Sequence, residues 1–133
     1  MLVGKGKLKA AKIAIKVHLL AESYLREKEA YQRLKGAGIS TILRFNVPEL
    51  LGYDDELRVI EMTVVARPFV LDFAGAYLDI PPDFSDEVWA EWEAEKMEQF
   101  GARWPTVQAV LGAFEELDIH LLDVTPNNIA FLD

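Results

Sequence analysis

Helical periodicity over residues 21–35 places a carboxylate where an apolar side chain is expected. Leu20, Tyr24, Tyr31 and Leu34 recur at helical spacing and form one stripe. Glu27 falls inside that stripe, three residues after Tyr24 and four before Tyr31. Glu29 lies roughly 200° round the helix from Glu27, at about 100° per residue, and faces solvent. A carboxylate on the buried face of a helix costs several kcal/mol unless a partner compensates it. The fold must therefore set a partner against this helix, or let Glu27 reach solvent past the edge of the stripe. Gly36 and Gly38 supply the stop signals.

The flanking segments predict what this helix packs on. Residues 12–17 alternate as a strand does, with Ile13, Ile15 and Val17 on one face and Lys12, Ala14 and Lys16 on the other. Residues 48–65 predict a hairpin that turns at Asp54-Asp55-Glu56 and returns through the strongly β-forming run 59–65, which Arg67-Pro68 ends. The apolar stretch 69–82 predicts a short helix over 73–77, with Pro81-Pro82 as a breaker. Ser85 suits the N-cap of a helix reaching about Phe100, where Gly101 stops it, and Asp86 and Glu87 suit its positive end. One face of that helix carries Trp89, Trp92, Lys96 and Phe100, expected in the core or at a partner surface, while Glu91, Glu93, Glu95 and Glu98 mostly populate a solvated face. Pro105 opens a further helix whose buried stripe is Val107, Val110, Leu111, Phe114 and Leu117. Ile129-Ala130-Phe131-Leu132 then reads as a short strand.

These elements fit one α+β domain of 133 residues, with half of them apolar. No apolar run approaches a membrane span, and no signal peptide is apparent. The absence of cysteine excludes disulfides and thiolate zinc sites, and His18 and His120 alone make a histidine-based metal site improbable. A net charge of −8 opposes general nucleic-acid binding. A cytoplasmic location is the default expectation. The first 16 residues nevertheless carry Lys5, Lys7, Lys9, Lys12 and Lys16 with no acid, which suits a solvated edge strand or a local anion site such as one for phosphate.

The last stretch carries the clearest chemistry. Asp123 stands five residues before Asn128, and Pro126 between them forces a turn. A carboxylate and an amide held by one turn can serve a single phosphate, the first accepting a hydroxyl proton and the second ligating Mg²⁺. This segment, with Ile13-Ala14-Ile15-Lys16, the Glu27 helix and the 48–65 hairpin, resembles the protein-kinase-like superfamily. Thr125-Pro126-Asn127-Asn128-Ile129 is most similar to small bacterial kinases and aminoglycoside phosphotransferases.

The resemblance implies an antiparallel N-lobe sheet with one helix over residues 1–65, followed by a hinge and a reduced helical part over 66–133. It implies ATP and Mg²⁺ as ligands. Ala14 would lie over the adenine, Lys16 on the phosphates, and Glu27 would orient Lys16. Ile60 would guard the pocket, with Glu61, Met62 and Thr63 as the hinge. Asp123 would be the catalytic base and Asn128 a metal ligand. The departures are Leu121 where the family has histidine, an incomplete glycine loop at Gly4 and Gly6, and no Asp-Phe-Gly after Asn128, since Asp133 follows it by only five residues. A compact remnant, a truncated product or half of an assembly would each fit. The expectation is ATP binding with slow or absent phosphoryl transfer to an unknown hydroxyl acceptor. The alternative is a non-catalytic module that binds nucleotide or a protein partner. An unpaired strand at 129–132 is expected to pair with another element or with a second copy.

Overall fold

The computed structural model describes residues 12–132. The glycines and lysines before Lys12, and Asp133, lie outside the described residues. The order is β1 (Ile13–Val17), α1 (Ala21–Gly36), β2 (Thr41–Ile42), β3 (Phe45–Asn46), β4 (Leu50–Asp54), β5 (Val59–Thr63), β6 (Phe69–Val70) and β7 (Tyr77–Leu78). Then follow α2 (Asp86–Phe100), a 3-10 turn (Gly101–Arg103), α3 (Trp104–Glu115), β8 (Ile119–His120) and β9 (Ile129–Ala130). The chain is thus mixed α+β, and its sheets are antiparallel except where β3 runs parallel to β6. No helix among the described residues is long and apolar enough to cross a membrane.

The first sheet has the order β1-β5-β4, with Lys16 opposite Ile60 and Ala14 opposite Met62. The hairpin forms where its alternation predicts. Asp54 Oδ1 closes it by accepting from the backbone N–H groups of Glu56 at 2.9 Å and Leu57 at 3.0 Å. α1 crosses this sheet and buries Tyr24, Glu27, Ala30, Tyr31 and Leu34. It ends in a Schellman arrangement: Gly38 takes φ +72°, and Gly38 N–H and Ile39 N–H reach the carbonyls of Lys35 and Leu34 at 3.0 and 2.9 Å. The alternation of β1 resolves with its polar side inward, and Ile13, Ile15 and Val17 are exposed.

A second sheet, β2-β3-β6-β9, joins the two halves of the chain. Val70 lies opposite Ile129, and Leu71 N–H donates to the Asn128 carbonyl at 2.7 Å. The strand ending the described chain therefore finds a partner within the molecule, and Ile129 and Ala130 are buried. Phe73 continues the core from α1 to α3, its ring 5.1 Å from that of Tyr31 and 5.5 Å from that of Phe114.

The short helix expected over 73–77 does not form. Asp72 sits at φ +69°, outside the extended backbone usual at an N-cap, and Asp72 Oδ1 accepts from Ala74 N–H. Tyr77 and Leu78 instead pair with His120 and Ile119. The later helices match their signals. Ser85 Oγ accepts from Val88 N–H at 3.2 Å, and Gly101 ends α2 at φ +56°.

Candidate functional site

Glu27 is 1% exposed, and both of its oxygens are engaged. Oε1 meets Lys16 Nζ from β1 at 2.9 Å and His18 Nε2 at 2.8 Å. Oε2 accepts from Phe73 N–H at 2.9 Å. The burial that helical phase forces on Glu27 is thereby compensated from β1 and from the segment after β6. The His18 ring packs edge-on against Tyr24, centroids 6.1 Å apart. His18 lies within the core, two residues beyond Lys16 on the same strand direction.

Lys16 is bracketed by carboxylates, because Asp72 Oδ1 stands 3.2 Å from Nζ on its other side. Burial alone lowers the affinity of Lys16 for its proton. The hydrogen bond and charge of Glu27, joined by those of Asp72, outweigh it, and the pKa is raised above 10.5. Tyr31 is pushed well above its ordinary value, first by burial and then by the Glu27 and Asp72 charges. At neutral pH Lys16 is therefore a fixed cation beside Glu27 and Asp72, and Tyr31 is a neutral phenol.

These groups open onto a cavity of about 530 Å³. Ala14 and Lys16 line it from β1, and Met62 and Thr63 from β5. Asp72 and Asn128 line it from the opposite side. A site of this size and mixed lining suits a small molecule. Four expected positions thus share one cavity with Glu27 and Asn128. Ile60 and Glu61 do not line it. Ile60 is fully buried behind Lys16, while Glu61 is exposed and turned onto the far side of β5, where its Oε1 would stand 2.8 Å from a Cβ at Gly52. Val64 and Val65 extend the lining past Glu61, Met62 and Thr63, the residues expected as the hinge.

Asp123 also lies off the cavity lining and is exposed. Its backbone carbonyl accepts from Asn128 Nδ2 at 3.1 Å, which commits the amide nitrogen and leaves the amide oxygen as the acceptor end. The loop carrying Asp123 is fixed by its neighbours. Trp92 Nε1 donates to the Leu122 carbonyl at 3.0 Å, and the buried Lys96 Nζ donates to the Val124 carbonyl at 2.6 Å. The turn after Asp72 approaches from the other side, so that a Cβ at Gly75 would stand 3.4 Å from Asp123 Cβ.

Asp72 is the candidate site residue that sequence reasoning missed. The sequence reading places a metal-binding carboxylate only after Asn128, and gives Asp72 no role beside Glu27 and Asp123. The signal lay upstream, in Phe69-Val70-Leu71-Asp72-Phe73-Ala74-Gly75: a β-forming pair, an acid, an aromatic and two small residues. The pairing of β6 with β9 brings that acid beside Asn128.

Mg²⁺ prefers one or two carboxylate or carbonyl oxygens, with phosphate oxygens and water completing its shell. Asp72 and Asn128 offer such a set on one cavity wall. No cluster of three or more acidic, histidine or cysteine side chains suited to a metal occurs among the described residues. These residues fit a cation brought in with a phosphate better than one caged by protein alone. Comparison of the chain with family models, with characterised proteins and with solved structures returns no match.

Proposed function

We propose that this chain is a kinase-like module that binds a nucleoside triphosphate with Mg²⁺ in the Lys16 cavity. The observation that carries the reading is the Lys16–Glu27 contact of 2.9 Å at the mouth of a cavity that Asp72 and Asn128 also line. Lys16 supplies the charge for the phosphates, and Glu27 holds its ammonium in place. Ala14 and Met62, opposite each other in the sheet, form an apolar surface for a base. Asp72 and Asn128 would hold Mg²⁺, which when bound neutralises phosphate charge. Phe73 ties this arrangement together, because its N–H holds Glu27 while its ring anchors the Asp72 turn in the core.

The protein-kinase-like resemblance supports the same reading. Its strand lysine, helix glutamate and loop asparagine fall together, and Asp72-Phe73-Ala74-Gly75 resembles the Asp-Phe-Gly segment from an upstream position in the chain. Phosphoryl transfer to a hydroxyl acceptor is the associated activity. It needs Asp123 as base, and the exposure of Asp123 outside the cavity lining favours slow transfer, or a role in binding alone.

Isothermal titration of ATP with and without Mg²⁺ tests the reading. Saturable binding that Mg²⁺ strengthens, and that Lys16→Met removes without unfolding the protein, is the expected result. Binding indifferent to Lys16→Met would refute it.

A further inference from the structure

A second cavity, of about 210 Å³, lies between α2, α3 and the segment running on from β8. It shares no lining residue with the Lys16 cavity. Its walls bring together Trp89, Trp92 and Trp104, which are the three tryptophans of the chain. The Trp89 and Trp92 rings meet at 86° with centroids 5.9 Å apart, and those of Trp92 and Trp104 at 68° and 5.8 Å. Trp89 and Trp92 are only half-buried. Phe100 stacks on Trp104, centroids 6.2 Å apart at 18°, so the half-buried Trp89 and Trp92 are the indoles a ligand can reach.

Two further features separate this cavity from an unfilled piece of core. Glu93 and Glu115 line it, and no lysine or arginine does so among the described residues. His120 lines it too, and both of its ring nitrogens are buried without a hydrogen-bond partner. The Glu115 carboxylate stands 3.8 Å from His120 Nδ1, beyond hydrogen-bond reach, and Glu93 Oε2 takes only a long contact of 3.5 Å from Gln108. Buried polar atoms left without partners mark a place where a ligand group or water completes the set.

We propose that this cavity binds an organic cation that carries N–H donors, an alkylammonium or a guanidinium group. Indole faces attract a cation through their quadrupole, and the two carboxylates add charge of the right sign. An N–H on the cation satisfies the acceptor nitrogen of His120. An anion would be repelled by Glu93 and Glu115, and an apolar occupant would leave the imidazole unpartnered. A free amine and the Arg or Lys side chain of a peptide present the same chemistry.

Since every tryptophan of the chain lines this cavity, intrinsic fluorescence reads it directly, whereas no tryptophan lines the Lys16 cavity. The full chain is titrated with agmatine, with acetyl-glycyl-arginine amide, with urea as the neutral analogue, and with tetramethylammonium as the cation without N–H. A saturable change with the first two and none with urea is expected. Tetramethylammonium should bind about tenfold more weakly than agmatine, for want of the hydrogen bond to His120. Tighter binding of the peptide than of agmatine assigns the site to a protein side chain, and equal binding assigns it to a free amine. The double substitution Glu93→Gln and Glu115→Gln, at two exposed positions, should weaken agmatine about tenfold or more while leaving ATP–Mg²⁺ affinity unchanged. Equal responses to urea and agmatine, no saturable response from the folded protein at millimolar agmatine, or indifference to the double substitution would overturn the proposal. Loss of ATP binding with an intact agmatine response would instead refute the nucleotide reading alone.

Discussion

Glu27 and Asp123 are both acids at candidate site positions, and the fold treats them in opposite ways. Glu27 is buried and held by Lys16, His18 and the backbone of Phe73. Asp123 is exposed, and what is fixed around it is backbone: Trp92 and Lys96 of α2 hold the carbonyls on either side. The first arrangement sets a side chain in one place. The second sets a loop in one place and leaves its carboxylate to solvent. Under the proposed nucleotide reading, a cation and a phosphate would be received without rearrangement at the Glu27 end, whereas chemistry at the Asp123 end would await a substrate that brings the carboxylate into line.

That contrast breaks most visibly at Glu27. Glu27→Ala leaves His18 and the Phe73 N–H unpaired in the core. It should cost about 3 kcal/mol of unfolding free energy, the lower end for a broken buried pair because Lys16 can turn to solvent. Urea denaturation measures the loss, and nucleotide binding should fall with it. Glu29→Ala, on the exposed face, should cost under about 0.5 kcal/mol.

Lys96 carries the equivalent test for the other region. Lys96→Met leaves the Val124 carbonyl without its donor and should cost about 1–3 kcal/mol. Amide exchange should speed up across residues 121–125 while remaining slow in α1. Uniform acceleration over both regions would show that the two are not separately held.

Asp72→Asn sharpens the comparison from the side of the ligand. Asp72 is about one-third exposed, so stability should change by no more than about 1 kcal/mol. The gain in ATP affinity that Mg²⁺ confers should fall by about tenfold, the scale of one charge-assisted contact of roughly 1.5 kcal/mol. Asp123→Asn should leave both stability and ATP affinity unchanged within about 0.5 kcal/mol, and should abolish whatever ATP turnover the protein shows.

The smallest effects are those of pH. The Lys16 pKa is raised in the folded state, so its contribution to stability is fully present below 10.5 and is lost as pH rises through the higher folded value. Asp55 is lowered by the hydrogen bonds it accepts from Tyr24 and Lys28. Its contribution is present above 3.8 and fades as pH falls through the lower folded value. Stability curves of Lys16→Met and Asp55→Asn should converge on that of the parent at the alkaline and acid ends respectively.

The Glu27 end was legible in the sequence because helical phase is local. Spacing alone puts Glu27 on the buried stripe, and burial then demands a partner. The hairpin, the Ser85 cap and the stripe of α3 were legible for the same reason. Alternation in β1 separated Ile13, Ile15 and Val17 from Ala14 and Lys16, but it could not say which side faces the cavity. The Asp72 turn was not legible, because its conformation is set by partners far along the chain. Glu27 Oε2 holds the Phe73 N–H, and β9 fixes the strand before it. Local apolar pattern predicted a helix there, and long-range pairing overrode it. The same long-range pairing brings an acid that precedes α2 beside an asparagine that follows α3.

The most direct test of the Glu27 end as a preformed nucleotide–metal site is paramagnetic broadening of the amide spectrum by Mn²⁺ in the presence of ATP. The account predicts broadening centred on the amides of Asp72 and Asn128 and extending to Lys16, weak without ATP and much reduced in Asp72→Asn. Broadening centred on the acidic face of α2, or a spectrum unchanged by ATP, would contradict it.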